Sequence, residues 1–115
     1  MTRATPGSRI VHMSSGAGLL TLISDPAFGH RSNFGPIYPG CKAALNAVTA
    51  ATTMEQGSEG IPVNAVAPGL RRPALMRVRE PRRLKNARQA VRVAPLGRHT
   101  PTGKFTRWEG NTVPW

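Results

Sequence analysis

Cysteine, acidic residues, aromatic rings and long apolar runs are all scarce in this sequence. Cys41 has no second cysteine to pair with, so no disulfide can form within the chain, and a thiolate-built metal centre is argued against. A lone thiol suits a reducing compartment. Aromatic residues make up 5% of the chain, which leaves few large side chains for a core. No stretch is long and apolar enough to span a bilayer. The first residues include Arg3 but no apolar segment of signal-peptide length follows. The expectation is a cytoplasmic protein without membrane attachment. At 115 residues it is one small domain, which buries a smaller share of its surface than a large one does.

What is abundant is glycine (12), proline (11) and positive charge, with 16 basic against 5 acidic residues. The turn formers predict much loop. The charge is unevenly placed. Before position 70 the basic residues Arg3, Arg9, Arg31 and Lys42 face Asp25, Glu55 and Glu59, whereas residues 71–98 hold ten basic residues and one acid, Glu80. Such a run can attract phosphate-rich partners by counterion release, or it can be a solvated, poorly ordered excursion. No aromatic rings interleave with it and no nucleic-acid module surrounds it, which argues against nucleic-acid binding.

The chain divides into residues 1–70, a basic variable segment 71–100, and a tail 101–115. Residues 8–14 are a short, mostly apolar run between Pro6-Gly7 and Ser15-Gly16-Ala17-Gly18, the pattern of a buried strand. Residues 19–34 read as a long connection, within which His30 and Phe34 are read as plain surface-loop residues, with the lining of a pocket as the alternative. A helix is expected over 37–55. Pro39 falls in its first turn, where a proline is tolerated, and Gly57-Ser58-Glu59-Gly60 stops it. Ala43, Ala44, Ala47, Val48, Ala51 and Met54 recur at helical steps and predict a flat core face. Further strands are expected over 61–66 and 103–108, with one weak helix around 83–93. This order of elements is that of a parallel α/β sheet with the 37–55 helix as its crossover, and such a sheet would have raw edges.

Tyr38-Pro39-Gly40-Cys41-Lys42 carries the chemistry. A spacing of four puts the phenol and the ammonium on one helix face. An ammonium beside a phenol favours the phenolate, which lets a tyrosine act as acid or base near neutral pH. Ser14 and Ser15 close the first strand, at the sheet edge where open α/β folds place ligands. Val63-Asn64-Ala65-Val66-Ala67-Pro68-Gly69 ends a second strand at the same edge.

Together, Ile10-Val11-His12-Met13-Ser14-Ser15-Gly16, Tyr38-Pro39-Gly40-Cys41-Lys42-Ala43-Ala44-Leu45 and Val63-Asn64-Ala65-Val66-Ala67-Pro68-Gly69 resemble three successive motifs of the short-chain dehydrogenase/reductase family. The likeness covers residues 9–70 and, more loosely, 101–110. It implies a partial Rossmann-like parallel sheet, the C-terminal half of a doubly wound fold, and hydride transfer between NAD(P) and a small carbonyl or alcohol substrate. By the same resemblance Tyr38 moves the proton on the substrate oxygen and Lys42 holds the nicotinamide ribose. Ser15 hydrogen-bonds the substrate oxygen, with Ser14 a structural neighbour, while Pro68 and Gly69 lie against the nicotinamide. The family's helix also pairs subunits, so the 37–55 helix is where a second copy or a completing N-terminal half would dock.

The sequence departs from the family in several places. No Gly-rich, pyrophosphate-seating turn opens the fold, because Gly16 and Gly18 follow the first strand instead. The interval from Ser15 to Tyr38 is wider than usual, and Leu70-Arg71-Arg72-Pro73 stands where a threonine commonly contacts the cofactor. The expectation is a truncated oxidoreductase, weak or inactive alone. The alternatives are a non-catalytic interaction module or a basic nucleic-acid-binding protein. His12 is read as a strand residue, Cys41 as packing, and Trp108 and Trp115 as packing or tail.

Overall fold

A computed structural model describes residues 5, 7–29, 34–68, 101–107 and 109–115. The expected weak helix at 83–93, the basic segment 71–98, His30, Gly69 and Trp108 lie outside the described residues. Strand β1 (Ile10–Met13) leads through a 3-10 turn (Gly16–Gly18) and a short helix α1 (Leu20–Ser24) to the long helix α2 (Ile37–Gln56). A second 3-10 turn (Gly57–Glu59) precedes β2 (Val63–Ala67), followed by β3 (Phe105–Arg107) and β4 (Thr112–Val113). The strands form one sheet in the order β1-β2-β3-β4. The first three are parallel, with Ile10 opposite Val63 and Ala65 opposite Phe105. This is the α/β, partial Rossmann-like sheet that the order of elements predicts.

Helix α2 is the crossover between β1 and β2. Pro39 stands at its third position, where the missing N–H has no intrahelical acceptor to lose. Gly60 ends the region in the left-handed conformation, φ 67°, which glycine adopts without a Cβ penalty. Strand β2 is buried at every position, as a strand flanked on both sides should be.

Two local expectations need correction. Residues 19–34 are not all connection: residues 20–24 form a helical turn because Leu19 is buried and Leu22 packs on the cluster of Ala65, Ala67 and Phe105. Strand β4 is also additional. Gly110, with φ 92°, turns the chain so that β4 pairs antiparallel with β3, and this covers one of the two raw edges.

The larger correction concerns the face of α2. Its alanine-rich stripe is outward: Ala44, Ala47 and Ala51 are exposed, as are Val48 and Met54, the latter at 80%. The buried residues are polar, Asn46 and Thr49. Asn46 accepts from the Ser14 hydroxyl at 2.5 Å. Thr49 donates its only hydroxyl proton to the Leu45 carbonyl at 2.7 Å, so at its 2.8 Å contact with His12 Nδ1 it must accept. His12 therefore carries its proton on Nδ1. The helix is seated on β1 by hydrogen bonds, and a periodicity of apolar residues does not reveal that.

Candidate active site

The C-terminal ends of β1 and β2 run out side by side. Ser14 N–H donates to the Val66 carbonyl at 2.8 Å, so Ser15 and Pro68 both emerge just past the sheet. Ser14 is 5% exposed and its hydroxyl is taken by Asn46. Ser15 is half-buried and caps the 3-10 turn, its Oγ accepting from Ala17 N–H at 3.2 Å. Of the two serines, Ser15 is thus the one at the mouth of the sheet.

The turn that Ser15 caps is pressed onto α2 at Lys42. A Cβ on Gly18 would stand 2.6 Å from the Lys42 carbonyl carbon and 2.7 Å from its oxygen. No side chain fits there. Gly18 therefore serves close packing, and its space is filled by the helix, not by a phosphate. Lys42 reaches back over the strand: its Nζ donates to the Met13 carbonyl at 2.9 Å. It also lies 5.9 Å from the Tyr38 ring centroid, within the outer range of a cation–π contact. Tyr38, in the first turn of α2, is 46% exposed and stacks on Phe34 with ring centroids 5.6 Å apart.

Ser15, Tyr38, Lys42 and Pro68 are accordingly gathered at one end of the sheet, while Gly69 lies outside the described residues. Phe34, read from sequence as a surface-loop or pocket residue, stacks on the tyrosine ring. Cys41 is exposed, which corrects its reading as a packing residue. His12 is committed to Thr49. Among the described residues no group of three or more His, Cys, Asp or Glu gathers as metal ligands would, and no helix is long and apolar enough to cross a membrane.

Two features of the site escaped the sequence. The first is the Met13 carbonyl as the lysine's partner, invisible because a backbone atom leaves no residue signature. The second is Asn46, one turn beyond Lys42, whose buried Nδ2 has no hydrogen-bond partner among the described residues. Its signal was available as a lone amide among alanines.

The model of a family described as enoyl-(acyl carrier protein) reductase matches residues 2–105. The chain belongs to the short-chain dehydrogenase/reductase family. Among curated proteins none matches. Among solved structures the fold resembles that of an NADPH-bound carbonyl reductase from chicken fatty liver, at 24% identity and a TM-score of 0.66. That match covers 95% of this chain and 45% of the reductase. The chain therefore spans less than half the length of this carbonyl reductase.

Proposed function

We propose that these residues form the catalytic half of an NAD(P)-dependent short-chain oxidoreductase acting on a small carbonyl or alcohol. The observation that carries this reading is the gathering of Ser15, Tyr38 and Lys42 at the C-terminal end of a parallel sheet, with the Tyr38 ring exposed beside the lysine ammonium. Tyr38 Oη gives or takes the proton on the substrate oxygen. Ser15 Oγ–H donates to that oxygen, and its acceptance of the Ala17 N–H leaves its own proton available. Lys42, with three donors, supplies positive charge beside the phenol and hydroxyl-binding capacity toward a ribose.

The residues fit the nicotinamide end of the cofactor. Tyr38 and Lys42 lie at the sheet end where such folds bind nucleotides, with Pro68 just past the strand beside them. When bound, the nicotinamide supplies or accepts the hydride. The pyrophosphate end is not matched by the described residues, since the Gly16–Gly18 turn is occupied by Lys42. Seating it falls to the part of the fold that the match to the reductase leaves uncovered.

The exposed apolar stripe of α2, Ala44, Ala47, Val48, Ala51 and Met54, favours a second element of the reading. A copy of this chain packs there, helix against helix, because small side chains permit close approach.

The test is reduction of a panel of small carbonyls with NADPH, using these 115 residues alone and completed by a dinucleotide-binding half. The chain alone should turn over little, and the completed protein should be active. Tyr38→Phe should lower kcat by at least about 100-fold, the usual scale of positioned acid–base catalysis. Full activity in that variant would remove Tyr38 from the mechanism, and inactivity of the completed protein with every carbonyl would sink the oxidoreductase reading.

A further inference from the structure

The backbone of α2 places Tyr38, but no polar partner holds its ring. Tyr38 stands in the first turn of the helix, 46% exposed, and among the described residues its Oη makes no hydrogen bond. Lys42 Nζ lies 5.9 Å from the ring centroid, at the outer range of a cation–π contact, and it donates to the Met13 carbonyl. The close ring contact is Phe34, with centroids 5.6 Å apart and planes inclined by 17°, which is an offset stack. Local sequence builds this stack. Pro36, whose ring fixes its φ at −70°, directs the chain into α2. Its carbonyl accepts from Gly40 N–H at 3.1 Å and closes the first turn. Phe34 is thereby held against that turn, four residues ahead of Tyr38 and half-buried.

We propose that Phe34 is a positioning residue for Tyr38: its ring face clamps the phenol ring in one rotamer beside Lys42 and leaves the hydroxyl proton uncommitted. Long side chains on a helix choose between two χ1 wells. A swing from one to the other carries the Oη, at the far end of the ring, several ångström. A general acid or base has to sit about 2.6–3.2 Å from the oxygen it serves, so only one of the two wells can be productive. A hydrogen-bonding neighbour could also hold the ring, but it would compete for the phenolic proton. A face contact does not, because the hydroxyl stands at the ring edge.

At the usual strength of an aromatic pair, loss of the stack multiplies the population of the alternate rotamer about two- to ten-fold. Phe34 acts through Tyr38 and touches no reacting atom. The clamp stands on the ring geometry alone, whereas its use in proton transfer rests on the oxidoreductase reading. The pair is local to residues 34–38, so the 115-residue chain suffices to examine it.

Tyr38 is the one tyrosine in the sequence, so isotope-labelled tyrosine gives a single spin system in the NMR spectrum of the full chain. Its Hα–Hβ couplings should report one dominant rotamer, with Overhauser contacts from its ring to the Phe34 ring and to the Lys42 side chain. Phe34→Ala should raise the alternate rotamer at least about two-fold and weaken the Lys42 contact, while the circular dichroism and melting of the chain hold. Phe34→Trp, which returns a flat face, should restore both signals. Ile37→Ala trims a neighbour that is 79% exposed and should leave both as they are. Unchanged couplings in Phe34→Ala overturn the clamp, as does an unaltered chain without the Phe34 contact. Equal averaging in Ile37→Ala also overturns it, by assigning the motion to the helix end. Where Phe34→Ala unfolds the helix, Phe34→Leu decides, since it keeps bulk without a flat face: averaging upholds the clamp and unchanged couplings overturn it. No turnover enters these readouts. Full activity of Tyr38→Phe toward carbonyls would refute the tyrosine's catalytic role and leave the clamp to the couplings.

Discussion

Gly18 shows how narrowly a single residue can control the site. Its missing Cβ is what lets the Ser15-capped turn lie on the Lys42 backbone, since a methyl there would sit 2.6 Å from a carbonyl carbon. Gly18→Ala must push the turn off the helix. The expected loss is about 1–3 kcal/mol, the usual range for overpacking, read as a lowered denaturant midpoint. Gly16→Ala is the control: its Cβ would meet only Leu22 Cδ2, at 3.5 Å, an ordinary contact, so that variant should keep its midpoint more nearly. A pair that melt alike would mean the turn is not packed as described. Ser14 and Asn46 form the second residue-scale test. Asn46→Leu leaves the buried Ser14 hydroxyl without its acceptor, at about 1–3 kcal/mol. Adding Ser14→Ala removes the orphan, so the double variant should lose less than the sum of the two singles in a mutant cycle. Additive losses would show that the two side chains do not interact.

At the scale of elements, α2 is amphipathic the opposite way from its composition. Its inner face bonds to β1 through Asn46 and Thr49, and its outer face is alanine, valine and methionine. A helix held by hydrogen bonds loses them when a polar side chain is trimmed. Thr49→Val keeps the shape but drops the acceptor for His12, and should lower stability by about 1 kcal/mol, measured by urea denaturation. The outer stripe predicts association. Val48→Glu should shift a concentration-dependent dimer to monomer in size exclusion with light scattering, and should change stability by no more than about 0.5 kcal/mol, as surface substitutions do. A dimer unaffected by the charge would place the contact elsewhere.

On the scale of the whole molecule, the described sheet is closed at one margin and open at the other. β3 is held beside β2 by side chains as well as by the ladder. Asn64 Nδ2 donates to the Pro101 carbonyl at 2.8 Å and its Oδ1 accepts from Lys104 N–H at 3.0 Å, while Thr102 Oγ accepts from Val63 N–H at 3.0 Å. These bonds fix where the chain returns after residues 69–100, whatever path it takes between. The open margin at β1 adjoins Lys42, whose ammonium donates to the Met13 carbonyl. The chain spans less than half of the reductase it resembles, and the weak cofactor binding expected of it alone follows from that. NADPH fluorescence titration should give at least about ten-fold tighter binding to the completed protein than to this chain. Equal affinity would mean that these residues seat the pyrophosphate themselves.

The sequence by itself determined the order of strands and crossover helix, the breakpoints at Pro6-Gly7, Gly57 to Gly60 and Pro101 to Gly103, and the Tyr38–Lys42 pair with Ser15 upstream. These are local: turn chemistry, periodicity and a four-residue spacing are written in neighbouring residues. The tertiary structure alone decided which face of α2 is inside, because that depends on hydrogen bonds to His12 and Ser14, distant in sequence. It alone decided that Gly18 yields to Lys42, that Asn64 clamps Pro101 and Lys104, and that the Lys42 ammonium rests on a backbone carbonyl. Close approach and backbone acceptors have no residue type, so only the folded chain brings them into view.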